Sequence, residues 1–168
     1  KDQTVRNLKG TKKPGINRIW WDLRYEPPKQ AKLRTKPLGH PFVKLGSEGW
    51  RSLGGGRRGR GGTLAAPGTY LVKLIVGEQE FKQNIMVKKD PNSAGSTEDI
   101  HKQVMILLEI QDNINTCVDM VNRIELVRKQ VYSLTELLKS DENDEHILNA
   151  GKGLDKKLIA LERNFFAL

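Results

Sequence analysis

The chain has 168 residues, of which 37% are hydrophobic, and carries a formal net charge of +9. That length fits one or two small domains with a modest core. No apolar run approaches the roughly 18 residues of a membrane-spanning helix, and the single cysteine, Cys117, excludes an internal disulfide and a cysteine-rich zinc site.

Charge is unevenly placed. Residues 1–90 hold 20 Lys and Arg against 7 Asp and Glu, whereas residues 91–168 hold 9 against 13. The change of sign near Pro91 predicts two modules, 1–90 and 96–168. Lys1-Asp2-Gln3-Thr4 has no Met and no apolar signal-peptide core. Asn164-Phe165-Phe166-Ala167-Leu168 stops on apolar side chains. Both ends are expected to be cuts within a longer chain.

The first predicted strand is Ile19-Trp20-Trp21-Asp22-Leu23-Arg24-Tyr25. Its alternation places Ile19, Trp21, Leu23 and Tyr25 inward and Trp20 outward. Pro27-Pro28 ends it, since proline cannot donate to a ladder. A long irregular stretch follows, about 26–64, containing Gly54-Gly55-Gly56-Arg57-Arg58-Gly59-Arg60-Gly61-Gly62. Such inserts are usually functional or disordered.

At Ala66-Pro67-Gly68-Thr69 the chain turns into a β-hairpin. Tyr70, Val72, Leu74 and Val76 share one face, and the Gly77-Glu78 pair suits a two-residue turn. Phe81, Ile85 and Val87 continue that face on the returning strand.

Lys89 to Gly95 reads as a linker, and Ser96 or Thr97 caps a helix with Glu98 and Asp99 in its first turn. Ile100, Val104, Leu107, Ile110 or Ile114, Val118, Val121, Ile124, Val131, Leu134 and Leu138 recur at helical spacing. The helix, about 97–139, spans about 60 Å and must pack on a partner. Ser140 to Asp144 forms the corner to a second helix, about 143–166, weakened early by Gly151 and Gly153. The pair is an antiparallel αα-hairpin of coiled-coil character with unequal arms. The uncovered remainder of the first arm is expected to contact a third helix or another protein chain. Cys117 is expected to be a small buried helix residue.

Three stretches together resemble a known arrangement: Pro14-Gly15-Ile16-Asn17-Arg18-Ile19-Trp20-Trp21-Asp22-Leu23-Arg24-Tyr25, Ala66-Pro67-Gly68-Thr69-Tyr70-Leu71-Val72-Lys73-Leu74, and Val87-Lys88-Lys89-Asp90-Pro91 before a long helix. They are similar to the C-terminal region of bacterial secreted proteins with sortilin-type Asp-box (BNR) repeat β-propellers, often labelled glycosyl hydrolase-like or sialidase-like. The resemblance implies an α+β chain. An Ig-like antiparallel β-sandwich of the flagellar hook-capping type is followed by a helical segment. It further implies a secreted or cell-envelope location, with the preceding propeller as partner. It transfers no catalytic residue, because the propeller that would carry one is absent here.

The residues offer little chemistry of their own. His40, His101 and His146 lack metal-ligand spacing and are expected at the surface, and no cofactor or metal is expected. The glycine run lacks the Lys-Ser/Thr of a phosphate loop. Arg51, Arg57, Arg58 and Arg60 are candidate contacts for a polyanion, nucleic acid or anionic glycan, through charge and guanidinium stacking. Trp20 and Trp50 are candidate sugar-stacking faces. The leading expectation is a non-catalytic accessory module for structural support and assembly. The alternative is a polyanion-binding module.

Overall fold

A computed structural model describes residues 3–53, 61–139 and 145–165. They form a mixed α+β chain. The strands are β1 (Lys32–Leu33), β2 (Arg51–Ser52), β3 (Gly68–Val76) and β4 (Gln79–Val87). The helices are α1 (Thr97–Leu138) and α2 (Glu145–Glu162). Two antiparallel two-stranded sheets pair β1 with β2 and β3 with β4. The chain divides into two compact units: residues 1–28 with 58–112, and residues 29–57 with 113–168.

In the first unit β3 and β4 pair in register from Gly68 opposite Val87 to Val76 opposite Gln79. Gly77 takes a φ of 61° in the connecting turn, a conformation that costs glycine little. Tyr70, Leu74, Phe81 and Ile85 therefore share a face, as their alternation predicts. Lys73 and Lys82 flank Glu80 on the other face, at 3.5 and 3.1 Å.

The strand expected at Ile19–Tyr25 does not form. Its extended course is broken at Leu23, which sits at φ 56°. Asp22 Oδ1 accepts the Arg24 N–H and the Trp21 indole N–H donates to the Arg24 carbonyl, closing a turn in place of a strand. Only the end of the segment is laddered. Ala65 N–H donates to Leu23 O and Tyr25 N–H to Thr63 O, while Glu26 N–H reaches Val5 O. A Cβ at Gly62 would run into the Tyr25 carbonyl, so glycine is required at this crossing. Ile19 and Leu23, expected inward, are exposed.

α1 starts where its cap predicts. Ser96 Oγ accepts the Asp99 N–H at 3.0 Å and lies 2.5 Å from the Asp99 carboxylate. This satisfies one of the four N–H groups a helix start leaves unpaired. α1 ends within a residue of its expected limit. α2 is shorter than expected, and the Ser140–Asp144 corner lies outside the described residues.

The second unit is built on the later part of α1. Ala31, Leu33 and Val121 are buried together, with Val118 against them. α2 approaches α1 closely at Gly151, where an added Cβ would lie 2.8 Å from Thr135 Cγ2 and 3.6 Å from Val131 Cγ1. The glycine that lowers helix propensity is thus what lets the helices meet. Cys117, expected buried, is exposed.

Candidate functional site

The covered line along α1 takes in most of the apolar stripe and a set of polar residues besides. Ile100, Val104, Val118, Val121, Ile124, Val131 and Leu138 are buried or half-buried, as are Leu108, Gln111, Asn115, Asn122, Glu125, Arg128 and Thr135, whereas Leu107, Ile110, Ile114 and Leu134 of the stripe are exposed. Spacings of three and four select a single face, and that face includes amides and charges.

The polar members have a common task in the second unit, where they serve the backbone of the extended segment 29–35. Asn115 Oδ1 accepts the Lys29 N–H at 2.8 Å, and Asn122 Oδ1 accepts the Lys32 N–H at 2.6 Å. Asn122 Nδ2 returns a bond to Gln30 O at 3.3 Å. Helix side chains thus take the place of a neighbouring strand, pairing backbone donors of the segment. Asp119 adds an exposed ion pair to Lys29 at 2.5 Å, worth little by itself.

The segment ends at a buried ionic cluster. Glu125 is 1% exposed, Arg128 6% and Glu162 0%. Glu125 Oε2 accepts the Arg34 and Thr35 N–H groups, the latter at 2.7 Å. Its Oε1 accepts the Thr35 hydroxyl at 2.6 Å and Arg128 Nη1 at 3.0 Å. Arg128 then crosses to α2, with Nε donating to Asp155 at 2.9 Å and Nη1 to Glu162 Oε2 at 2.6 Å. Glu162 Oε1 is buried with no hydrogen-bond partner. One guanidinium therefore fastens three elements: the extended segment, α1 and α2.

The cluster is unbalanced, with three carboxylates facing one guanidinium. Burial, and then the neighbouring Glu125 charge, pushes the Glu162 carboxyl up to about 7, against the downward pull of Arg128. Burial lowers the affinity of Arg128 for its proton, yet Asp155, Glu162 and Glu125 together hold it above the ordinary arginine value. Chemically the cluster can hold a proton and clamp helices. Among the described residues no set of His, Cys, Asp and Glu is arranged to hold a metal ion.

In the first unit Tyr70 is the polar anchor. Its hydroxyl donates to Ala66 O at 2.6 Å, and its ring meets Trp21 edge-on at 5.3 Å. Burial first, then the nearby Tyr25, raises the Tyr70 hydroxyl above its ordinary value. Beyond Tyr70 the β3–β4 hairpin is open. Leu71, Leu74, Ile75, Phe81 and Met86 are all exposed, so both faces present apolar side chains. An open depression of about 540 Å³ elsewhere in this unit is lined by Gln3, Lys102, Met105, Ile106, Leu108 and Glu109.

The candidate ligand contacts are dispersed. Trp20 is 78% exposed in the first unit, with the Arg18 guanidinium 5.7 Å from its ring centre. Trp50 belongs to the second unit. There Lys32 Nζ lies 5.3 Å from its ring centre and its indole N–H donates to Glu48 at 3.3 Å. Arg51 lies in β2 and donates to Thr35 O at 3.4 Å, while Arg57, Arg58 and Arg60 lie outside the described residues. His40, His101 and His146 are exposed. Sequence reasoning missed Glu125, Arg128, Asp155 and Glu162 because charges on helices usually form a solvated face. The available signal was the placing of Glu125 and Arg128 in line with Val118 and Val121. No family model, curated protein or solved structure matches the chain.

Proposed function

We propose that this chain is a non-catalytic accessory and interaction module, serving structural support and assembly within a larger secreted protein. The observation that carries the reading is the β3–β4 hairpin, with nine-residue strands, apolar side chains exposed on both faces and, among the described residues, no strand paired on either outer edge. A lone two-stranded hairpin is marginal in water. Exposed apolar surface of this kind marks an interaction site, and the open backbone edge selects a β-strand as its occupant. The partner is therefore a protein that supplies strands.

The Tyr70 hydroxyl bond to Ala66 O resembles the corner that pins a strand in Ig-type sandwiches. On that reading β3 and β4 are two strands of an Ig-like sandwich whose opposing layer covers Leu74 and Phe81. α1 and α2 form an antiparallel αα-hairpin, a reading supported by the contacts from Arg128 to Glu162 and from Thr135 to Gly151. The exposed Ile110, Ile114, Leu134 and Leu137 offer another protein chain a second contact. The sequence resemblance makes the first partner a preceding sortilin-type β-propeller.

The test begins with the gene upstream of Lys1. Asp-box repeats behind a signal peptide are expected there, and a start codon immediately before Lys1 would remove the propeller partner. The upstream polypeptide, expressed separately and mixed with this chain, is expected to slow amide exchange in β3 and β4. Unchanged exchange at saturating concentration would overturn the docking role of the hairpin.

The dispersed basic side chains favour a second reading, a polyanion-binding module. Arg18 against the exposed Trp20 supplies a cation and an aromatic face together, a pairing suited to single-stranded nucleic acid.

A further inference from the structure

Glu162 is the last residue of α2 and is fully buried. One of its oxygens is held by Arg128, and the other has no donor. A buried carboxylate oxygen without a donor is costly when ionised, and far less so as part of a carboxylic acid. The neighbouring Glu125 is in the opposite position, accepting four hydrogen bonds from Arg34, Thr35 and Arg128. Of the two buried carboxyls, Glu162 is thus the one left with an undonated oxygen. The two carboxyls share one donor, Arg128 Nη1, at 3.0 and 2.6 Å.

We infer that Glu162 carries a proton in the folded chain, and that this proton, by neutralising a buried carboxyl with an undonated oxygen, latches the last turn of α2 onto α1 and the 34–35 segment. Among the described residues, the charged groups that face it enter the balance. α1 contributes the Glu125 carboxylate and the Arg128 guanidinium, and α2 contributes the Asp155 carboxylate. The extended segment contributes only neutral donors, the Arg34 N–H with the Thr35 N–H and hydroxyl, while the Arg34 guanidinium turns away to Lys32 O and Asn122 O. With the proton in place, two negative charges surround Arg128. Without it there are three, two of them on buried residues.

The direction with pH follows. The folded-state value of Glu162, about 7, lies above its ordinary value of 4.5. The stabilisation by the proton is therefore complete below about 4.5 and is lost as the pH rises through about 7. The latch is closed in mildly acidic solution and loosens toward alkaline pH, opposite to a carboxylate held by a salt bridge alone.

The experiment is carboxyl-carbon NMR on the full chain labelled at glutamate, with amide exchange in α2 followed from pH 5 to 8.5. One glutamate carboxyl is expected to titrate near neutrality and to vanish from the titration in E162Q. Exchange in the last turn of α2 should quicken about tenfold or more across that range in the unmodified chain. In E162Q it should stay slow and flat, because the side-chain amide is neutral at every pH in that range. Titration of every glutamate below pH 5.5 would overturn the inference, as would a pH profile in E162Q that matches the unmodified chain. The titration of the unmodified chain decides the matter even if E162Q fails to fold.

Discussion

Arg128 on α1 and Glu162 on α2 meet at 2.6 Å with both side chains out of solvent. The same guanidinium holds Glu125, which in turn holds the backbone of Arg34 and Thr35. The covered face of α1 is thus organised around a charge.

Removing that charge while preserving length tests its role. Arg128→Met leaves Glu125, Asp155 and Glu162 facing one another without a cation. Breaking a buried ion pair by removing one partner typically costs about 3–5 kcal/mol. Urea denaturation is expected to show a loss of that order. A loss below about 1 kcal/mol would mean that water enters the cluster freely.

Gly151 gives a steric test that involves no charge. Gly151→Ala improves intrinsic helix propensity by about 1 kcal/mol, yet its Cβ lands 2.8 Å from Thr135 Cγ2. Overpacking of this kind typically costs about 1–3 kcal/mol, so the variant is expected to melt at a lower temperature. Adding Thr135→Ser removes the offending methyl and should recover the propensity gain. A stabilised single variant would show that α2 does not approach α1 there.

On the hairpin, Phe81→Lys should separate folding from association. Phe81 is exposed opposite Leu74, and substitutions at exposed sites usually stay within about 0.5 kcal/mol. The variant is expected to unfold at nearly the denaturant midpoint of the unmodified chain while failing to bind the upstream polypeptide. Equal binding by both would place the contact elsewhere.

The N-cap supplies a local prediction. Ser96→Ala deprives the Asp99 N–H of its acceptor. The expected cost is about 1 kcal/mol, read as faster amide exchange in the first turn of α1 and unchanged exchange in α2.

For the basic run of the sequence, Arg57, Arg58 and Arg60 changed together to Gln remove three positive charges. If a polyanion binds there, its affinity for single-stranded nucleic acid should fall and become less steep in salt, since each phosphate contact contributes to the salt slope. Unchanged binding would retire that reading.

Local chemistry was legible in the sequence wherever a rule acts over a few residues. The alternation from Tyr70 to Val76, the turn at Gly77, the cap at Ser96 and the extent of α1 follow from period, turn geometry and hydrogen-bond satisfaction. Tertiary structure decided what the long helix covers and what crosses it. The segment 29–35 sets Ala31 and Leu33 on Val118 and Val121 of the stripe and its backbone donors on Asn115, Asn122 and Glu125, because apolar side chains and backbone N–H groups both need partners, and nothing in the sequence signals that the helix supplies them. The turn at Leu23 was equally hidden, since Ile19 to Tyr25 has the alternation of a strand but not the neighbours to pair with one. Gly151 reads as a defect in a helix until Thr135 stands opposite it. Glu162 reads as a solvated charge until Arg128 and Glu125 enclose it, because burial and pairing belong to residues far apart in the chain.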